Sequence, residues 1–525
     1  MSPKAKTLMF LGTGSDVGKS IVTAGFCRIL KQDGYRAAPF KAQNMALNSF
    51  ITPEGGEMGR AQVVQAEAAG IEPHVDMNPV LLKPTSRTGS QVIVRGRAVG
   101  NFSAREYYRY KKTLVPVVRE CFERLAGRFD VVVLEGAGSA VELNLKEHDL
   151  VNLAMAEMAD APCILVGDID RGGIFASLLG SLALMTESEQ NRIIGFLVNK
   201  FRGDPQLFRS GIDLLEERSG KPVLGVIPYF DHISIPEEDS VALQGRMRSA
   251  GAGAFERGSL RIGVLRLPYL SNYTDFDCFE QDPQVRLEYF DRPGKAFHYD
   301  AVILPGSKNT LEDLAFLKRS GLADAVVSFY KAGGTVVGIC GGYQMLGLCV
   351  RDPLGVESGL GEVPGLGLLE VETEMLPEKI TSQVEAEMIF CFGEEAPAGS
   401  IESPLYGYEI HMGRTRPVQG TNLPLFRITR RGGCPVSVED GFVQAEGRVW
   451  GTYIHGIFDN DGFRKRFLED LGRRSGREEV LSSTSFSFMK WREKQYDLLA
   501  DHLRRHVDVG RIYGLIGLDG PARHG

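Results

Sequence analysis

Two short strings hold the residue types that do chemistry. Gly12-Thr13-Gly14-Ser15-Asp16-Val17-Gly18-Lys19-Ser20 sets a lysine and a hydroxyl behind a glycine turn. In such a loop backbone N–H groups and a helix N-terminus point at an anion, the lysine brings a point charge to the β- and γ-phosphates, and the serine hydroxyl can ligate Mg2+. The strict pattern wants a glycine where this chain has Thr13, so the loop is a variant with its glycines at 12 and 14. The second string, Gly338-Ile339-Cys340-Gly341-Gly342-Tyr343-Gln344, puts a cysteine on a sharp turn, as in a nucleophile elbow with sulfur in place of a hydroxyl. Glycines on both sides permit a strained backbone, and a helix that follows offers N–H groups to an oxyanion. The thiol needs a base. His455, in Gly451-Thr452-Tyr453-Ile454-His455-Gly456, is the expected partner, and His411, in Gly407-Tyr408-Glu409-Ile410-His411-Met412-Gly413, is its rival. The other histidines read as surface or packing residues.

Both strings need strands behind them. Apolar runs at 7–11, 131–134, 163–166 and 193–198 alternate with helical patterns, which predicts a doubly wound parallel sheet. The first run delivers the phosphate loop and a helix over 21–33 that Gly34 stops. The second ends at Glu135, where a Mg2+-holding acid would stand, although a carboxylate there also serves as a helix cap. Asp168 and Asn199-Lys200 end the next two, and all three ends should face one crevice. Residues 236–259 have little apolar periodicity and read as a linker. Runs at 261–267, 301–304 and 335–339 then restart the pattern, so a second α/β sheet, again mostly parallel, is expected. Leu304-Pro305-Gly306-Ser307-Lys308 closes one of its strands and can bring a second N–H to the oxyanion. Phe488, Trp491, Gln495, Leu498, Leu499, Leu503 and Val507 mark one amphipathic helix packed against a domain. The expected division is 1–235, a linker at 236–260, a second domain at 261–515 and a tail at 516–525.

Composition narrows the function classes. With 525 residues, 43% hydrophobic and 24% charged, the chain is neither disordered, collagenous nor a coiled coil. A net charge of −7 gives no bulk positive field to draw nucleic acid or an anionic membrane. Eight cysteines without a CxxC pair argue against a disulfide framework or a structural zinc. No apolar run reaches membrane-spanning length and no signal-peptide pattern opens the chain, so a cytoplasmic protein without nucleic-acid or membrane partners is expected.

At Cys340 and His455 the second half resembles class I glutamine amidotransferase domains, which are flavodoxin-like. The first half resembles dethiobiotin synthetase-like P-loop ATPases. The strings at 39–49 (PFKAQNMALNS), 57–62 (EMGRAQ), 77–84 (MNPVLLKP) and 271–277 (SNYTDFD) are together similar to the cobyric acid synthase family. That resemblance implies ATP- and glutamine-dependent amidation of the b, d, e and g carboxylates of adenosylcobyrinic acid a,c-diamide to give adenosylcobyric acid, on the way to vitamin B12. The implied small-molecule partners are the corrinoid, L-glutamine and ATP, with Mg2+.

By the same carry-over Cys340 attacks the glutamine amide, His455 shuttles the proton, Gly306 and Gly341 furnish oxyanion N–H groups, and Gln344 helps hold the substrate. Gly14, Val17, Gly18, Lys19, Ser20, Lys41 and Asn199 would hold ATP, with Lys19 and Lys41 on the transferring phosphoryl. Ser20, Glu135 and Asp16 would surround Mg2+. Glu142 and Asp149 would either face a corrin carboxylate or sit in a solvated loop. The wider class places Glu two residues after the histidine, where this chain has Ile457, leaving Glu409 or Asp459 for the third position. Activation as an acyl phosphate and release of ammonia within the same protein predict a guarded path between the sites. Two other readings compete. One is a related carboxylate amidating enzyme such as cobyrinic acid a,c-diamide synthase. The other is a partitioning-type P-loop ATPase, whose signature lysine would fall at Gly14.

Overall fold

The computed structural model describes residues 5–84, 89–236, 259–390, 404–418, 423–444, 446–477 and 486–520. The expected linker, apart from its ends, and the last residues of the expected tail lie outside them. The chain forms two units: residues through Ala46, Glu57–Glu237 and those from Arg492 on, and Leu47–Gly56 with Glu238–Trp491.

The first unit is built on six parallel strands, β1 (Lys6–Gly12), β2 (Ala37–Phe40), β3 (Val131–Glu135), β4 (Cys163–Asp168), β5 (Ile193–Phe201) and β6 (Val223–Pro228), in the order 6-5-4-1-3-2. β1 lies between β3 and β4 and is apolar along nearly its whole length, as a strand covered on both faces must be. Helix α1 (Lys19–Gln32) follows it, ending at Asp33 with Gly34 at φ 88°, which matches the expected stop. Four short strands, Gln43–Met45, Val80–Pro84, Gly89–Val94 and Arg97–Ser103, form a separate small sheet that leads into helix α2 (Ala104–Lys111). Helix α3 (Leu153–Met158) follows the turn after β3.

The C-terminal helices correct the expected boundary. Helix Phe488–His506 puts Tyr496, Leu499 and Leu503 into the first unit's core beside Phe26 and Ile29, and Val509–Ile516 adds Ile512 and Tyr513. A Cβ on Gly25 of α1 would strike Leu503 Cδ1, so glycine allows the close approach. Arg28 donates to Asp497 at 2.8 Å and Glu493 at 2.9 Å along the same face. Helical periodicity shows that a face is apolar but says nothing of which sheet it covers, which is why 261–515 was the wrong extent for one domain.

The second unit carries parallel strands β7 (Leu260–Leu265), β8 (Val285–Phe290), β9 (Ala301–Leu304), β10 (Thr335–Ile339) and β11 (Val449–Thr452), in the order 8-7-9-10-11. Beyond β11 the sheet continues antiparallel through Cys434–Val443, Leu423–Arg431 and Val371–Met388, with Leu405–Pro417 paired to the last. The sequence reading did not foresee this extension. β10 runs directly into helix α4 (Gly341–Leu346), and a Cβ on Gly342 would collide with the Leu304 carbonyl oxygen, so the helix seats against β9 only with glycine there.

Candidate active sites

In the first unit the loop leaves β1 at its carboxyl end and turns into α1 at Gly18, whose φ of 98° resists any side chain. Asn199 Nδ2, at the end of β5, donates to Val17 O at 2.8 Å, and Lys19 Nζ donates to Gly14 O at 2.8 Å and Gly138 O at 3.0 Å. A glycine loop that runs from a strand end into a helix N-terminus in this way is the arrangement that binds phosphate.

Glu135, buried at the end of β3, receives the Ser20 hydroxyl at 2.7 Å and the Lys41 ammonium at 2.8 Å on one oxygen, and Gln65 Nε2 at 2.5 Å on the other. Burial pushes this carboxyl's pKa upward, but Lys41 and the three hydrogen bonds outweigh it and hold the group below the usual carboxylate range. Among the described residues both oxygens are taken by side-chain donors and no backbone N–H reaches Glu135, so it does not act as a helix cap. Gln65 escaped the sequence reading because nothing in local spacing ties it to a carboxylate 70 positions away.

Ser20 Oγ and Glu135 are hard oxygen donors of the kind Mg2+ takes when phosphate oxygens and water complete its shell. Asp16, the third expected ligand, has φ 59° and faces Arg171 at 3.4 Å, and Lys200 Nζ reaches its carbonyl at 2.5 Å and Asp168 at 3.0 Å. Among the described residues no group of three His, Cys, Asp or Glu could hold a metal by itself. Glu142 is exposed, whereas Asp149 accepts the backbone N–H groups of Val151, Asn152 and Ala154 and so shapes the turn into α3.

In the second unit Cys340 lies between β10 and α4 at φ 51°, ψ −108°, a strained setting for a residue with a side chain. Its amide donates to Thr452 O at 2.8 Å, tying the turn to β11. His455 follows β11 and is buried. Its Nδ1 lies 2.7 Å from Asp275 Oδ2, whose other oxygen accepts the Gly456 amide at 3.0 Å. The Cys340 side chain is the neighbour that acts on the remaining nitrogen, Nε2. Burial works against a charge on this imidazole, yet Asp275 and then the Cys340 thiol raise its pKa to about 10.

The third position is thus held by Asp275, not by either residue expected. Glu409 binds Arg431 at 2.8 Å and lies 3.6 Å from His411 Nε2, and Asp459 does not orient the imidazole. His411 is also settled elsewhere, with Nδ1 on Gly413 O at 2.8 Å and its ring stacked on Tyr453. Asp275 was in view within SNYTDFD, but only as part of a family string.

Gln344 is buried, with Oε1 accepting from Thr310 at 2.9 Å and Nε2 donating to Tyr453 at 3.1 Å. Gly341 opens α4, and a Cβ there would come within 2.9 Å of Ser307 N. A Cβ on Gly306 would meet His455 Cε1 at 3.3 Å, which puts that loop beside the imidazole. The amides of Gly306 and Gly341 donate to no acceptor among the described residues.

Residues 8–241 match a family model described as the CobQ/CobB/MinD/ParA nucleotide binding domain, and 261–463 match the CobB/CobQ-like glutamine amidotransferase domain. Over 99% of its length the chain is 70% identical to a cobyric acid synthase of Syntrophobacter fumaroxidans, all of which is covered. It is 49% identical to those of Desulfitobacterium hafniense, with 98% of each chain covered, and Photorhabdus laumondii, with 97% of each covered.

Proposed function

The chain belongs to the cobyric acid synthase family, glutamine-dependent amidating ligases of cobalamin biosynthesis, and from that premise we propose that it amidates the b, d, e and g carboxylates of adenosylcobyrinic acid a,c-diamide by the following steps. In the second unit His455 Nε2 already holds the proton of the Cys340–His455 pair, and the Cys340 sulfur bonds to the amide carbon of glutamine. The oxyanion that forms takes the N–H groups of Gly306 and Gly341. The C–N bond breaks as His455 returns the proton to nitrogen, releasing ammonia. Water, deprotonated by the same Nε2, then cleaves the thioester to glutamate and restores the pair.

In the first unit a corrinoid carboxylate oxygen bonds to the γ-phosphorus of ATP and the bond to ADP breaks. Ammonia displaces phosphate from the acyl phosphate and leaves an amide. Gly14, Val17, Gly18 and Asn199 shape the loop around the phosphates, and Lys19 and Lys41 sit where they can stabilise the transferring phosphoryl. Mg2+, when bound with ATP, supplies charge neutralisation at the phosphates, and Ser20 and Glu135 would hold it. Asp16 is a weaker choice, since its carboxylate faces Arg171.

The observation that carries the reading is the buried imidazole of His455, held at Nδ1 by Asp275 and beside a cysteine at positive φ. It supports a working glutaminase and speaks against a switch ATPase with an inert second half, while the full-length relatives disfavour an a,c-diamide synthase. Incubation of the full chain with ATP, Mg2+, glutamine and adenosylcobyrinic acid a,c-diamide, followed by mass spectrometry, should show stepwise exchange of hydroxyl for amino groups up to the tetra-amidated product. An unchanged corrinoid mass overturns the assignment.

A further inference from the structure

The first unit contains a cavity of about 440 Å³ that shares a wall with the phosphate loop. That wall is the turn 137–140 after β3, and the Gly138 carbonyl in it is the one that receives Lys19 Nζ at 3.0 Å. A group filling the cavity therefore lies one peptide unit from the lysine that attends the phosphates.

Its lining is of two kinds. Met45, Leu143 and Leu145 stand at it 56%, 52% and 40% exposed, three large apolar side chains gathered in one place rather than scattered. Among the charged groups, Asp149 is committed to backbone N–H groups, Lys146 binds Glu189 at 2.7 Å and Arg192 binds Asp160 at 3.0 Å. Glu142 and Glu157 are carboxylates at the same lining, and of the three cations only Lys111, the last residue of α2, differs. It is half-buried and makes no hydrogen bond or ion pair among the described residues. Burial depresses its pKa, with Asp149 acting more weakly in the other direction. An ammonium drawn partly out of water without a bonded anion is an unfavourable arrangement that an incoming carboxylate relieves.

Resting on the function proposed above, we propose that this cavity admits one carboxylate-bearing arm of the corrinoid at a time and that Lys111 is the positioning residue that grips it. A volume of 440 Å³ takes a side arm but not a tetrapyrrole-sized ring. The ring stays outside, with an apolar face against Met45, Leu143 and Leu145. A single phosphoryl-transfer site can then serve several carboxylates in turn, because the macrocycle is held by non-directional contacts and only the seated arm by charge.

Equilibrium dialysis of adenosylcobyrinic acid a,c-diamide, followed by its visible absorbance, tests this on the full chain. Lys111→Met keeps reach without charge and should weaken corrinoid binding about ten- to hundredfold. Lys111→Arg should stay within about threefold of wild type, since a cation remains. ATP affinity and the KM for glutamine should be unaltered in both, which also shows that the variants fold. Wild-type corrinoid affinity in Lys111→Met overturns the role of Lys111 and leaves the functional reading standing. Failure of the wild-type protein to bind the corrinoid at all overturns that reading, and the cavity's assignment with it.

Discussion

Asp275 Oδ2 lies 2.7 Å from His455 Nδ1, although the two residues are 180 positions apart in the chain. With the Gly456 amide on its second oxygen, the carboxylate can neither turn nor drift, so it fixes the tautomer and tilt of the imidazole and leaves Nε2 for the thiol.

Asp275→Asn should therefore lower the kcat of glutamine hydrolysis by about a hundredfold or more. Corrinoid amidation driven by ammonium salt in place of glutamine should be unaffected. A glutaminase rate close to wild type would remove Asp275 from the site.

The same pair sets a pH dependence of stability. Asp275 and Cys340, against the opposing effect of burial, raise the folded pKa of His455 to about 10, above the roughly 6.5 of an unfolded imidazole. The folded state therefore holds the proton more tightly. Its stabilising effect is complete below about pH 6.5 and is lost as pH rises through about 10. The gap in Tm between wild type and Asp275→Asn should be widest near pH 6 and close towards pH 10. A gap that widens with pH contradicts the pairing.

Glu135→Gln removes the anion that Ser20 and Lys41 share. ATP-dependent amidation, assayed with ammonium salt, should fall by about a hundredfold or more while glutamine hydrolysis stays within about threefold of wild type. Breaking a buried ion pair from one side should also destabilise the first unit by about 3–5 kcal/mol, measurable by denaturant titration.

Leu503→Ala should destabilise the first unit by about 2–5 kcal/mol, the usual range for a fully buried leucine. The denaturant midpoint followed through ATP binding should shift, and the midpoint followed through glutamine hydrolysis should not. A shift confined to hydrolysis would place the C-terminal helix in the other unit.

What the sequence made legible was local. The phosphate loop and the elbow at Cys340 depend on glycines at fixed offsets from a lysine or a cysteine, and each lies at the end of an apolar run, so strand, turn and helix followed from neighbouring residues. What it hid was tertiary. Asp275 reaches His455 through a fold that no spacing rule records, and the same holds for Gln65 on Glu135. His411 and His455 look alike as residues on short strand-like patterns. Only the environment separates them, one ring tied to Gly413 O, the other held by Asp275 and in electrostatic contact with Cys340. The apolar face of the C-terminal helix was visible, but its destination beside Gly25 was not.

The division of labour between the two sites is tested most directly by the origin of the new nitrogen. Wild-type protein is given ATP, Mg2+, the a,c-diamide and [amide-15N]glutamine in the presence of unlabelled ammonium salt, beside Cys340→Ala under the same conditions. Heavy nitrogen in every amide made by the wild type, and only light nitrogen in the variant's product, is the expected result. Heavy nitrogen in the product of Cys340→Ala would contradict a cysteine glutaminase feeding an ATP-dependent ligase.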